Sequence, residues 1–287
     1  MLNRQSSNND SRKLYLVGTP IGNFQDMTFR AIDTLKMVDI IYCEDTKITG
    51  ILLKHFDIHT PIRSYNVVNE NNLTKNIIET IKNGKNVAVV SDAGMPGISD
   101  PGYLAVKEAT KENIDVVIIP GVSASLTALV ASSLPTKNFY FHGFLNSKQS
   151  IRKKELLALS DKEETLIIYE APHRIKETLL DMYEILGNRR ICLSRELTKK
   201  YEEHLRGTIK EVLEVVDELK GEMVIIVEGK TIDEVSNDLN NLSIKEHYNF
   251  YIEQNVDFKE ALKLVAKDRK VSKSIIYQEI FGKNKND

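Results

Sequence analysis

Short runs of β-branched and aliphatic residues alternate along this chain with longer stretches in which apolar residues recur every three or four positions. The runs Leu14–Val17, Ile40–Cys43, Val87–Val90 and Val116–Ile119 are continuously apolar or nearly so, as in strands buried on both faces of a parallel sheet. Between them the period is helical: Phe29, Ile32, Leu35 and Val38, then Ile48, Ile51, Leu52 and Phe56, then Leu73, Ile77, Ile78 and Ile81 within Asn69–Lys82. Local signals mark the ends. Asp45 stands at the N-cap position of the second helix, Gly84 follows the third as a C′ residue, and Asp100-Pro101 reads as N-cap and N1 of a fourth. Strand and helix in alternation predict an α/β layered fold.

The run from Ala128 to Ser133 ends at Leu134-Pro135-Thr136, and a new strand over Phe139–His142 follows. The boundary between an N-terminal α/β domain, 13–134, and a second α/β domain, 135–230, is placed there. The second half repeats the alternation, with strands over Leu166–Tyr169, Ile191–Ser194 and Met223–Val227 and helices over Pro172–Leu186 and near Ile209–Leu219. No close sequence repeat links the halves. After Gly229 the composition turns to Asn, Asp, Lys and Glu, and 231–287 is read as a small helical extension. One helix there carries Phe258, Ala261, Leu262 and Val265, another Ile275, Ile276 and Ile280. With Val271-Ser272 between them they form either a helix-turn-helix pair or a helical hairpin packed on the body or a neighbouring subunit. The polar start, 1–12, has no apolar h-region and is expected to be a disordered tail, not a secretory signal.

Charge and cysteine usage narrow the classes. Lys and Arg number 39 against 41 Asp and Glu, a formal net charge of −2. A small RNA-coating protein is strongly basic, so any RNA contact here must use local basic patches. The two cysteines, Cys43 and Cys192, lie far apart in strand-like runs; they read as buried reduced thiols, neither a disulfide framework nor a metal site. Nothing approaches the ~18 consecutive apolar residues of a membrane span. The expected compartment is the cytoplasm, with no membrane partner.

The candidate chemistry sits in two turns. Ser91-Asp92-Ala93-Gly94-Met95-Pro96-Gly97-Ile98-Ser99-Asp100-Pro101-Gly102 follows a strand and precedes a helix. Its glycines and prolines fix an unusual backbone path that lets a ligand approach closely. A strand-to-helix link needs only ~2–6 residues, so this one is long for an inert turn. In open α/β sheets ligands bind beyond the carboxyl ends of strands. Pro120-Gly121-Val122-Ser123-Ala124-Ser125 is the second turn, offering backbone amides and two hydroxyls to a polar ligand, or plain capping by Ser123. There is no G-x-G-x-x-G and no P-loop. His55 and His59 lack the glutamate of a zinc-binding helix and are read as surface residues.

Taken with Gly18-Thr19-Pro20-Ile21-Gly22-Asn23 and Glu44-Asp45-Thr46, these turns resemble the tetrapyrrole methylase superfamily. Tyr169-Glu170-Ala171-Pro172-His173-Arg174, Arg195-Glu196-Leu197-Thr198-Lys199 and Gly221-Glu222-Met223-Val224 are similar to its branch that acts on ribosomal RNA. The likeness is collinear from about Leu14 to Gly229. It implies two α/β domains with S-adenosylmethionine in the cleft between them, in a homodimer. It also implies 2′-O-methylation of a cytidine in the decoding region of 16S rRNA, within the small ribosomal subunit. Members acting on a corrinoid or porphyrin, and a non-catalytic ribosome-binding protein of this fold, are the rival readings. Two departures stand out: Gly94-Met95-Pro96 where porphyrin-directed relatives often have Gly-Asp-Pro, and Lys47 where Arg is usual, which keeps the charge but loses bidentate phosphate binding.

By that resemblance the cofactor contacts fall on Pro20, Gly94, Met95, Pro96, Ile98, Ser123, Ala124, Tyr169, Leu197 and Met223, with no metal required. A ribose hydroxyl is a weak nucleophile and gains from a hydrogen-bond acceptor. Glu170, Glu196, Asp45 and His173 are candidates, Glu170 the preferred catalytic residue. Arg30, Lys47, Arg174, Arg195 and Lys199 are the candidate phosphate contacts, because they concentrate in the motif turns.

Overall fold

The computed structural model describes residues 12–66, 70–230, 239, 241–269 and 271–282; all of the expected tail over 1–12 except its last residue lies outside them. The chain forms two compact units, one through Gly229 and one from Lys230.

The first unit holds two five-stranded sheets. Strands β1 (Lys13–Val17), β2 (Ile40–Cys43), β3 (Ile62–Ser64), β4 (Val87–Val90) and β5 (Asp115–Ile119) make an all-parallel sheet in the order β3-β2-β4-β1-β5. Helices α1 (Phe29–Met37) and α2 (Thr46–His55) pack on one face, where Ala31, Leu35 and Leu53 meet Val17, Ile41 and Val90. Helices α3 (Glu70–Lys82) and α4 (Tyr103–Lys111) cover the other, where Ile77, Ile81 and Ala105 meet Leu14, Leu16 and Val89. The inner strands β1, β2 and β4 are buried on both faces, which is why they read as apolar runs; β3 and β5, at the edges, are only partly buried. The helix after β1 and the helix after β4 leave on opposite faces, so the neighbouring strands β4 and β1 form a topological switch point, where open α/β sheets bind ligands.

Capping follows the sequence at α2, where Asp45 accepts from the Lys47 amide at 2.7 Å, and after α3, where Gly84 takes φ +85°. It departs at α4. Gly102, not Asp100, is the N-cap residue, and no side chain caps the helix. Asp100 is therefore released from the capping role the Asp-Pro pair suggested. The periodicity of α1 misleads in one place: Phe29 is 88% exposed.

The second sheet follows Leu134 in the chain. It comprises β6 (Phe139–Phe144), β7 (Thr165–Glu170), β8 (Arg190–Arg195), β9 (Glu203–Thr208) and β10 (Met223–Val227), in the order β6-β7-β10-β8-β9. Only β6 and β7 are parallel; the β7–β10, β10–β8 and β8–β9 pairs are antiparallel. Helices α6 (Gln149–Leu159), α7 (Ile175–Leu186) and α8 (Ile209–Leu213) cover one face, burying Leu166, Ile168, Leu193, Met223 and Ile225. The other face packs on α5 (Ala124–Ala131), which follows β5 of the first sheet. Ala128 and Leu129 of that helix, with Ile21, meet Ile167, Cys192, Val224 and Ile226. This cluster joins the two α/β halves.

The unit from Lys230 contains, among the described residues, helices Ile244–Glu253, Phe258–Asp268 and Lys273–Phe281 around Tyr248, Leu262, Val265 and Ile276. The first escaped the sequence reading; Ser243 and Glu246 close a capping box at its start. No described helix is long and apolar enough to cross a membrane.

Candidate active site

The loops leaving β1, β4 and β5 converge at the switch point. Thr19 and Gly94 exchange backbone hydrogen bonds at 2.9 and 3.1 Å. The Thr19 hydroxyl also donates to the Ser91 carbonyl at 3.2 Å. Gly18 is pressed against the other two loops: a Cβ there would lie 2.7 Å from Met95 Sδ and 2.8 Å from the Gly121 Cα. No larger residue fits at Gly18 without moving backbone. Gly94, at φ +79°, lies against Ile21 and the Val122 carbonyl.

Ser123 opens α5 but does not cap it; its hydroxyl pairs with Ser125 Oγ at 2.8 Å. The first amides of α5 thus lack both an intrahelical acceptor and a side-chain cap, so the plain-capping alternative does not hold. Ser125 hydrogen-bonds the Tyr169 phenol, whose pKa burial pushes up despite that bond. Tyr169, Val122, Ala124, Ile21 and Leu197 share one apolar cluster spanning both halves. A further tie closes the same side, for a Cβ at Gly22 would come 2.6 Å from Lys199 Cγ.

Carboxylates line the neighbouring rim. The Asp45 amide donates to Asp92 Oδ1 at 2.9 Å. Burial raises the pKa of Asp92 and of Glu44, the latter helped by the charges of Asp92 and Asp45. Asp100 is pushed up to about 7, first by burial and then by the charges of Glu44 and Asp92. Its charge also reaches Tyr169, across from the first sheet.

Of the expected cofactor contacts, Gly94, Met95, Ala124, Ser123, Tyr169 and Leu197 are drawn together here, and Pro20 adjoins the Thr19–Gly94 bridge. Pro96 is buried in the same loop and Ile98 is exposed on it. Met223 is different. Its side chain packs under α6–α8, on the sheet face away from Tyr169. Glu170 is different for the same reason: neighbours on a strand point to opposite faces. It is 2% exposed, and its carboxylate accepts from Arg174 Nε at 2.9 Å, the Ala171 amide at 2.8 Å and Thr178 Oγ1 at 2.5 Å. A carboxylate with these donors anchors the start of α7 and is not placed to receive a substrate proton.

The basic candidates divide likewise. Arg174 is paired with Glu170, Arg195 with Glu203 at 2.6 Å, and Lys199 with Glu196 and Glu222, both at 3.1 Å. Arg30 and Lys47 are exposed, with no carboxylate partner among the described residues. Glu196 is held by Lys199 and Asp45 is spent on its cap, while His173 is exposed. Asp100 was missed because its Asp-Pro context signals a helix start; nothing in the local sequence marks its burial.

A glycine-lined convergence of loops at a switch point, faced by an aromatic and apolar wall, suits a ligand with both polar and flat apolar parts. Residues 13–213 match the tetrapyrrole (corrin/porphyrin) methylases, and the chain belongs to that family of methyltransferases. Solved structures show the same fold at low identity. Diphthine synthase superposes with a TM-score of 0.61 at 15% identity, over 77% of this chain and 91% of that one. The uroporphyrin-III-C-methyltransferase of Thermus thermophilus gives 0.55 at 19%, over 75% and 94%. Sequence relatives extend over nearly the whole chain and carry the name ribosomal RNA small subunit methyltransferase I. The Bacillus subtilis protein is 51% identical, covering 96% of this chain and 98% of its own length. The Synechocystis protein is 40% identical, covering 92% and 96%.

Proposed function

We propose that this protein transfers the methyl group of S-adenosylmethionine to the ribose 2′-hydroxyl of a cytidine in the decoding region of 16S rRNA, in the cleft between its two sheets. The observation that carries the reading is the meeting of the β1, β4 and β5 loops at the switch point, opposite Tyr169, in a chain 51% identical to a protein named for small-subunit RNA methylation. The residues present fit the cofactor. Gly94, at φ +79°, turns the β4 loop without a side chain, the uncapped amides of α5 and the Ser123 hydroxyl suit its carboxylate and ribose, and Ile21, Val122, Ala124, Tyr169 and Leu197 suit its flat and aliphatic parts. When bound it supplies an electrophilic methyl on a sulfonium.

The protein's own work is alignment and proton acceptance. Holding hydroxyl, methyl carbon and sulfur in line is worth up to ~7–11 kcal/mol for well-oriented reactions. Asp100 takes the acceptor role expected of Glu170: it is a carboxylate on the cleft loop with a pKa of about 7, near the optimum for a general base at neutral pH. Arg30 and Lys47 hold phosphates of the incoming strand. The small ribosomal subunit as substrate, a homodimer as the active form and the cytoplasm as compartment belong to this reading and are supported by the family resemblance.

The test is transfer of labelled methyl from S-adenosylmethionine to small ribosomal subunits from cells lacking this protein, with the product mapped by mass spectrometry. One ribose-methylated cytidine in the decoding region is the expected result. A protein that binds the cofactor yet labels no RNA overturns the substrate, and label entering a tetrapyrrole instead returns the chain to the small-molecule members of its family.

A further inference from the structure

Strand β6 carries a feature that neither core packing nor the cofactor contacts account for. Its pairing with β7 runs Phe139↔Thr165, Tyr140↔Leu166 and Phe141↔Ile167, then slips to Gly143↔Ile168 and Phe144↔Tyr169. In a regular strand Phe141 and Phe144, three apart, point to opposite faces. Without the slip Phe144 would sit opposite Glu170 and enter the core under α6 and α7. The extra residue, with Gly143 at φ +82°, turns Phe144 onto the Tyr169 face instead. Both phenylalanine rings then meet Tyr169 edge-on, at 5.2 and 5.5 Å between centroids. Leu145 follows into the core.

Bulges re-aim side chains beside active sites, and here the re-aimed ring stays 55% exposed. The bulge also abuts the cleft loop: a Cβ at Gly143 would lie 3.2 Å from Ser99 Oγ, the neighbour of Asp100. An aromatic ring is therefore held open on the Tyr169 wall, one residue along from the bulge that abuts the cleft loop.

We propose that Phe144 is the stacking platform for the nucleobase of the target nucleotide, a positioning residue that brings that nucleotide's ribose hydroxyl to Asp100. The inference rests on the reading that this cleft methylates RNA. Every base has a π-face, and stacking on an aromatic side chain strengthens binding by about tenfold or more per base. The same chemistry would serve the adenine of the cofactor; the bulge that turns Phe144 lies against Ser99, with Gly143 as the contact, and not against Gly18, Gly94 or Gly121, which assigns the ring to the substrate.

The experiment compares wild type, Phe144→Leu and Phe144→Trp on small ribosomal subunits, with S-adenosylmethionine affinity measured separately by calorimetry. Phe144→Leu is expected to raise KM for the subunits about tenfold with cofactor Kd unchanged, and Phe144→Trp to restore it. A Leu variant with wild-type KM and kcat overturns the inference while leaving the methylation reading intact. Loss of cofactor affinity in the Leu variant overturns it differently, by moving the ring to the adenine. If wild type itself labels no RNA, the reading and the inference fall together.

Discussion

In the first sheet every strand is parallel, and the candidate ligand-binding residues lie on the loops that leave its carboxyl edge. In the second, apart from Leu197 in the turn after β8, they lie on one strand face, while residues one position away serve the core. The loops of the first sheet carry their function in composition: Gly18 and Gly121 are there because backbone meets backbone, and Gly94 because its φ of +79° favours glycine. The second sheet carries its function in parity. Tyr169 and Glu170 are adjacent, yet one faces α5 and the cleft and the other is buried with Arg174 under α7. A motif containing both therefore says little about which of the two touches a ligand.

The sharpest way to break this contrast is to exchange the roles of Asp100 and Glu170. Asp100→Asn is expected to lower kcat about 10²–10⁴-fold, the usual range for a general base, with cofactor affinity kept. The wild-type rate should climb with pH and level off above about 7, as Asp100 ionises. Stability provides an independent check. The folded state holds the Asp100 proton up to about 7, against ~3.9 in the unfolded chain. The ionised, half-buried carboxylate therefore costs stability that is absent below the unfolded value, grows as pH rises between the two, and is complete above the folded one. Asp100→Asn removes that cost, so the Tm of the variant relative to wild type should be higher at pH 8 than at pH 5. A flat difference across that range would remove Asp100 from its half-buried position.

Glu170→Gln tests the other face. It leaves Arg174 without its charged partner at the start of α7, and breaking such a buried pair costs about 3–5 kcal/mol. Thermal melting should register that loss while turnover per folded molecule is little changed; the reverse pattern would return Glu170 to catalysis. The smallest effect concerns the rim. Arg30→Ala and Lys47→Ala should each weaken RNA binding a few-fold and reduce the slope of log affinity against log salt by about 1. Variants with the wild-type salt slope would place the phosphates elsewhere.

The first sheet was largely legible because its inner strands, buried on both faces, must be apolar throughout. Ile40–Cys43 and Val87–Val90 have the ends the pattern predicts, and Leu14–Val17 and Val116–Ile119 each gain one residue. The strands that escaped, Ile62–Ser64 and Glu203–Thr208, are both at sheet edges. Edge strands are half solvated and need no apolar run, and Glu-His-Leu-Arg-Gly-Thr has none. Among the basic residues, Arg195 and Lys199 lie in a recognisable motif, yet Glu203, the partner of Arg195, and Glu222, which shares Lys199 with Glu196 of the motif, come from other strands and loops. Sequence spacing does not report that pairing.

The α/β alternation, the helix ends at Asp45 and Gly84, the glycine-rich turns and the family likeness follow from the sequence alone. Each rests on a local rule: burial on both faces, a cap, or a backbone that tolerates no side chain. Only the tertiary structure decided that Asp100 stands in the cleft, that Glu170 and Met223 turn away from it, and that Phe144 turns towards it. Those outcomes depend on strand register and on contacts between segments far apart in the chain. Because side chains alternate with a period of two, a single inserted residue in β6 is enough to move a ring from the core to the site.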